Sequence, residues 1–297
     1  MKKLTHYFLD PPFTRSNTLQ LSKKQINSYR ELGYVVIKCP YPESLVKKAL
    51  DTVEATLQPI GKKIIDTKGN HFRLQPQIAD SYWCALDHSL PFLQMELHDE
   101  IVELAKQIEG DTDIYFRNGG INELAPGRSF LWHRDSGEEY VEFMHYFSGS
   151  HKKNGCLRVV PGSHKGDVDK LVSQVLDLRR AEWGTSDPDP SRADVELPEE
   201  LSIALDPDEL LIRSSKIFHS TWLNRSNEGR LMHHWLFRPS HTQDHRFNFS
   251  CCLTRELINQ LSVNQRQVLW LDRKFNLSEK WEKEHKREGA KIKWGIA

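Results

Sequence analysis

The pattern of apolar and polar positions divides the chain into a helical beginning, a strand-rich middle and a helical end. Ser22 and Gln25 have the spacing of a capping box, and the segment they open runs to Gly33, a residue suited to ending a helix. The β-branched run Tyr34-Val35-Val36-Ile37 then predicts a strand. A second helix is predicted over Glu43 to Leu57, with Leu45, Val46, Ala49, Leu50 and Val53 on one face. A third is predicted from about Pro91 to Ile108, closed by Gly110.

From Asp113 short runs replace the helical period: Asp113–Asn118, Ile121–Ala125, Phe130–Asp135, Tyr140–Phe147 and Leu157–Val160. Turn signals such as Pro126-Gly127-Arg128 and Pro161-Gly162-Ser163 separate them. A helix near Val168–Trp183 precedes a plain loop, Gly184 to Ser191. Strands resume at Leu201–Leu205, Glu209–Arg213, Lys216–Leu223 and Arg230–Arg238, and from about Thr254 the chain reads as helical and highly charged. Many short strands behind a helical preface predict a mainly β fold with peripheral helices, a barrel or jelly roll. Without a repeat or a convincing linker, residues 1–297 read as one domain. Its preface covers about 20–110, its jelly-roll core about 111–240 and its helical tail about 254–297. The stretch from Gly184 to Arg192 is the expected lid at the barrel mouth.

Composition narrows the partners. Lys+Arg and Asp+Glu are both 41, so no basic excess points to a nucleic acid. No apolar run approaches the roughly 20 residues of a membrane-spanning helix. Met1-Lys2-Lys3 is not followed by the apolar stretch of a signal peptide. Five cysteines, none in a C-x-x-C pair, suit reduced thiols, and the cytoplasm is the expected compartment. A small-molecule partner is expected, and nothing in the sequence indicates the oligomeric state. The tail from Glu279 to Lys293 alternates in charge as a solvated helical face does.

Candidate chemistry begins at His133-Arg134-Asp135. On a strand, residues two apart share a face with Cα atoms about 6.6 Å from each other, so this imidazole and carboxylate can meet one ion while Arg134 points away. The motif alone is weak, since roughly one H-x-D arises by accident among 14 histidines. His98-Asp99-Glu100 serves as a control: it lies in a helix-period segment, where such side chains diverge by about 200°. His219, on a later strand, can complete a two-His, one-carboxylate triad suited to Fe(II). Taken alone, a core histidine bonded to backbone is its commoner reading. Arg230 opens the next strand. Pointing inward it needs an anion, and a carboxylate suits its planar fork; taken alone, a surface ion pair is the commoner reading. Thr221, on the face of His219, can donate to the same carboxylate.

The order of these pieces resembles the phytanoyl-CoA dioxygenase family of Fe(II)/2-oxoglutarate oxygenases. The matching residues are Gly33-Tyr34-Val35-Val36-Ile37, Trp132-His133-Arg134-Asp135, and the specific stretch from Asn154 through Pro161-Gly162-Ser163 to His164. His219-Ser220-Thr221, Asn224 and Arg230 follow. The resemblance covers about residues 25–240. It implies a double-stranded β-helix, a cupin-like jelly roll, with iron on His133, Asp135 and His219 and no further catalytic side chain. It places the 2-oxoglutarate carboxylate on Arg230 and Thr221, and makes His164 architectural. Two segments depart from the family pattern: Ser148-Gly149-Ser150-His151, where relatives often carry acids, and the turn Asp206-Pro207-Asp208, which lacks a glycine.

The implied activity is oxidation of an aliphatic C–H with O2 as co-substrate and succinate and CO2 as products. Asp135 fills the position that a halogenating relative leaves open, so hydroxylation is expected over halogenation; desaturation, epoxidation and cyclisation stay open. A jelly roll that binds a metal or ligand without turnover is the alternative from another class, and a zinc hydrolase is a weaker rival because no motif places a general base. His145, His151, His233 and His234 are expected to add polarity near the site. Alternation from Arg230 turns Met232 and His234 inward and His233 away, making His234 the candidate for substrate contact.

Overall fold

A computed structural model describes residues 20–52, 72–73, 90–110, 113–175 apart from 131, 136 and 137, 196–239 and 259–269. The expected lid from Gly184 to Arg192 and the charged tail lie outside them. The first helix, Lys23–Leu32, has its capping box: Ser22 Oγ accepts from Gln25 N at 3.2 Å and Gln25 Oε1 from Ser22 N at 2.9 Å. It ends at Gly33, whose φ of 87° is left-handed, and a Cβ there would lie 2.7 Å from His164 Nδ1. His164 is thereby fixed behind the helix end, with Nε2 3.1 Å from Arg30 O.

Among the described residues, nine strands form two antiparallel sheets. The larger runs β1 (Tyr34–Lys38), β7 (Glu209–Ser214), β4 (Val141–Tyr146), β9 (Arg230–Pro239), β3 (Ile114–Leu124) and β2 (Phe72–Arg73) in spatial order. The smaller runs β6 (Leu201–Ile203), β5 (Leu157–Val159) and β8 (His219–Thr221). A bridge between His133 and His219 sets His133 beside β8. This is the jelly roll that the alternation predicts.

The period-two rule sorts the side chains of β4 and β9. Phe143, Trp235 and Phe237 turn outward onto the helices Leu90–Glu96 and Asp99–Glu109, in a core with Phe92, Leu93, Ile101 and Leu104. Met144, Tyr146 and Met232 turn inward onto Leu157, Val159 and Ile203 of the smaller sheet. With both faces covered, every residue of β4 is buried. Each large apolar side chain so placed contributes about 1.5–3 kcal/mol. Among the described residues no helix is long and apolar enough to cross a membrane.

Three expectations are corrected. The helix predicted from Pro91 to Ile108 is two helices. His98, with φ −56° and ψ 134°, is the extended N-cap of the second, and Asp99 and Glu100 open it where the helix dipole favours acids. His98 therefore stands before a helix, not inside one. Asp113–Asn118 and Ile121–Ala125 are a single strand, β3, interrupted by a register shift between Phe116 and Asn118. Phe130–Asp135 is no regular strand: its described residues pair through isolated bridges and then bend.

Candidate metal centre

The bridge between His133 and His219 sets up the site. His133 N donates to His219 O at 2.9 Å and His219 N to His133 O at 3.0 Å. Such a doubly bonded pair holds two facing residues side by side, and the imidazole centroids lie 4.3 Å apart. The chain then bends, and Asp135 N donates to Ser215 O at 3.3 Å. Asp135 Oδ1 lies 3.3 Å from His133 Nε2 and Oδ2 lies 3.7 Å from His219 Nε2. One ligand atom from each of the three residues falls within 4.8 Å of the others, a set that can hold a metal ion. Arg134 points away, with Nη2 donating to Gly166 O at 2.7 Å.

The protonation states suit ligation. His219 Nδ1 donates to Ile217 O at 2.9 Å, which leaves Nε2 as a lone pair facing Asp135. Burial, with the Arg213 guanidinium beside it, holds His219 well below the usual histidine range, so the imidazole is neutral. Burial pushes the Asp135 carboxyl up, but Arg213 and the two histidines outweigh it and keep it well below the usual carboxylate range. Two imidazole nitrogens and one carboxylate on one side of an ion are the donor set of a facial Fe(II) triad.

The triad opens into a cavity of about 300 Å³ between the sheets. At one end lies Arg230, 3 % exposed. It donates from Nη1 to Gly155 O and stacks with its guanidinium carbon 4.8 Å over the Tyr146 ring. Its Nε has no partner, Tyr146 Oη is buried without one, and no carboxylate of the described residues lies within ion-pair distance of Arg230. Burial pulls this arginine down from its ordinary value. Thr221 Oγ1 accepts from Phe130 N at 2.7 Å, which leaves its own proton to donate into the cavity. A buried cation short of an anion, lining the same cavity as a free hydroxyl donor, fits the far carboxylate of 2-oxoglutarate.

A match to the family model "Phytanoyl-CoA dioxygenase (PhyH)" extends over residues 29–232. The chain belongs to this family. A phytanoyl-CoA dioxygenase family protein with this triad is an oxygenase of the Fe(II)- and 2-oxoglutarate-dependent type. No protein of curated function matches the chain in sequence. Solved structures resemble it. The non-haem α-ketoglutarate-dependent carbocyclase SnoK from nogalamycin biosynthesis is 17% identical, TM-score 0.54, over 76% of this chain and 88% of that one. HygX from Streptomyces hygroscopicus, with nickel and 2-oxoglutarate bound, is 14% identical, TM-score 0.57, over 74% and 88%. The epimerase SnoN, in complex with Fe3+, α-ketoglutarate and nogalamycin RO, is 15% identical, TM-score 0.52, over 73% and 83%. At these identities the likeness is one of fold.

His234 lines the cavity of this family member, whereas His233 pairs with Glu96 in the outer core. His145 also faces outward, with Nε2 2.8 Å from Pro207 O, and His151 holds the turn at Asn154. Of the four histidines expected near the site, only His234 is there. Sequence reasoning missed Arg213 and Glu142. Arg213, 3 % exposed, contacts both Asp135 and Glu142, and Glu142 Oε1 accepts from His234 Nδ1 at 2.8 Å. An acid between Val141 and Phe143 and a base after the apolar run Leu210-Leu211-Ile212 were the available signal.

Proposed function

We propose that this oxygenase hydroxylates an aliphatic C–H of a small-molecule metabolite. In this reading His133, Asp135 and His219 hold the iron, and Arg230 with Thr221 holds the far carboxylate of 2-oxoglutarate. Bound there, the iron with 2-oxoglutarate and O2 supplies an oxidant strong enough for an unactivated C–H, and succinate and CO2 leave. The chain's own residues do the rest. The His133–His219 bridge fixes two imidazoles, Arg213 steadies Asp135 through Oδ2, and the walls exclude water while presenting one C–H to the centre. The observation that carries the reading is Arg230, a buried guanidinium with no described carboxylate partner in the cavity of the triad. Hydroxylation is preferred to halogenation because Asp135 takes up a coordination position. The outcomes named for SnoK and SnoN, ring closure and epimerisation, differ from it by whether the product gains an oxygen atom.

Anaerobic titration of the metal-free protein with Fe(II) and 2-oxoglutarate tests the cofactor sites. The expected result is a weak visible charge-transfer band in the wild type. Asp135→Ala should abolish it, and Arg230→Ala should weaken 2-oxoglutarate binding by roughly 10- to 100-fold, the worth of one charge-assisted bond. Iron binding with no band would sink the 2-oxoglutarate assignment. Iron binding with a band but no succinate in air, whatever the co-substrate offered, would favour a ligand-binding jelly roll.

A further inference from the structure

The cavity continues past the metal centre along β9, whose inward residues are Arg230, Met232, His234 and Leu236. Arg230 and His234 are two inward steps apart, about 13 Å along a strand. A five-carbon dicarboxylate seated on Arg230 does not also reach His234. That end of the cavity is left for another molecule.

The His234 ring is oriented by Glu142: Nδ1 donates to Oε1 at 2.8 Å, and the neutral tautomer with that bond presents its Nε2 lone pair to the cavity. Glu142 is held in turn by Arg213. Nε2 takes no hydrogen bond from a described residue, and the ring has its place only because β3 carries a glycine opposite: a Cβ on Gly120 would lie 2.6 Å from Nε2. One inward step along β3, Asn122 is 9 % exposed, and its Oδ1 is buried with no partner. This wall thus offers two hydrogen-bond acceptors that lack donors, set among Met144, Met232 and Leu236.

Charge restricts what can meet them. The described lining holds two arginines and no lysine. Arg213 is already shared between Asp135 and Glu142, and Arg230 serves 2-oxoglutarate in the reading above. A phosphate or carboxylate on the substrate would face Glu142 with no spare cation among the described lining residues. A hydroxyl group supplies the missing donor without a charge.

We propose that His234, oriented by Glu142, and Asn122 form the substrate subsite, and that it takes an uncharged, hydroxyl-bearing part of the substrate through its O–H groups, not a phosphate or carboxylate. This rests on the Fe(II)/2-oxoglutarate reading of the cavity.

The test uses the visible band of the anaerobic Fe(II)- and 2-oxoglutarate-loaded protein as reporter of a molecule arriving beside the metal. The probes are matched pairs: myo-inositol and its monophosphate, methyl glucoside and methyl glucuronide. At least one uncharged member is expected to shift the band, and to do so at lower concentration than its acidic counterpart. His234→Phe should raise the concentration needed by roughly tenfold, the worth of one hydrogen bond, and Asn122→Leu should act likewise. His234→Gln, which keeps an acceptor, should recover part of the loss. The band without probe should form in His234→Phe as in the wild type, because His234 touches neither the triad nor Arg230; its loss there would overturn the placement. The proposal is also overturned if an acidic member outcompetes its uncharged counterpart, if no uncharged member shifts the band, or if the shift is unaffected by His234→Phe. Absence of the band from the wild type, read before any probe is added, would overturn the cofactor reading and this inference with it.

Discussion

Arg213 stands at the point where the metal centre and the cavity wall meet. Its guanidinium spans Asp135 and Glu142, its Nε lies 3.1 Å from Met144 Sδ, and the two acids outweigh the burial that would lower its pKa, so it stays charged. Removing it leaves two acids without their counter-charge, Glu142 buried and the Asp135 side chain about a quarter exposed. Arg213→Met is therefore expected to destabilise the metal-free protein by about 3–5 kcal/mol, read from urea unfolding. It should also weaken Co(II) binding by roughly 10- to 100-fold, as loss of an outer-sphere partner of a metal ligand does. Arg213→Lys should recover part of the metal affinity. Unchanged Co(II) affinity in the Met variant would show that Asp135 needs no such support. His133, Asp135, His219 and Arg230 were legible in the sequence because their residue types carry the chemistry and each has a place in a known order. Glu142 and Arg213 were not. A charged residue in a strand reads as facing solvent, and only a sheet covered on both faces turns it inward.

At the scale of elements the same limit applies to β3. Gly119-Gly120 reads as a break between two strands, yet it lies inside one, paired with Trp235 and His234. Each glycine makes room on its own face: a Cβ on Gly119 would lie 2.1 Å from Glu96 Oε1, and one on Gly120 2.6 Å from His234 Nε2. Paired glycines within a strand signal close approach, but the approaching groups come from distant segments, which no local pattern reveals. The two positions should separate in experiment. Gly119→Ala is expected to cost about 1–3 kcal/mol, the range for overpacking, with the Fe(II)/2-oxoglutarate band intact. Gly120→Ala should displace the His234 ring, leaving the cofactor band but weakening the response to substrate. Equal effects of both variants on the band would mean that β3 acts as one unit and that its two faces do not divide the work. The helix break at Leu97–His98 was hidden for a related reason: the apolar period continues across it, and only the backbone of His98 changes.

Over the whole molecule, the jelly roll separates a cavity between the sheets from a core beneath the helices. The outer core contains a polar pair of its own: Glu96 Oε1 lies 2.9 Å from His233 Nε2, and both side chains are fully buried. Burial pushes Glu96 well above the usual carboxylate range. Burial, with His145 and His234 nearby, holds His233 well below the usual histidine range. Both directions favour a neutral pair, with the carboxyl proton donated to the imidazole. Glu96 is raised above its unfolded value of about 4.3, so its stabilising contribution is full below that pH and is lost as pH rises through the raised value. His233 is lowered below its unfolded value of about 6.5, so its contribution is present above that pH and fades as pH falls below it. Glutamine at position 96 mimics the protonated acid, since its amide N–H can donate to His233 Nε2 at any pH. Glu96→Gln should therefore remove only the alkaline-side loss: the variant should gain on the wild type steadily from weakly acidic to alkaline pH while sharing its decline on the acid side. Urea unfolding of both proteins across that range provides the measurement. A wild-type advantage that grows with pH would mean instead that the pair is an ion pair, with a carboxylate accepting from His233, and that the outer core stabilises a buried charge.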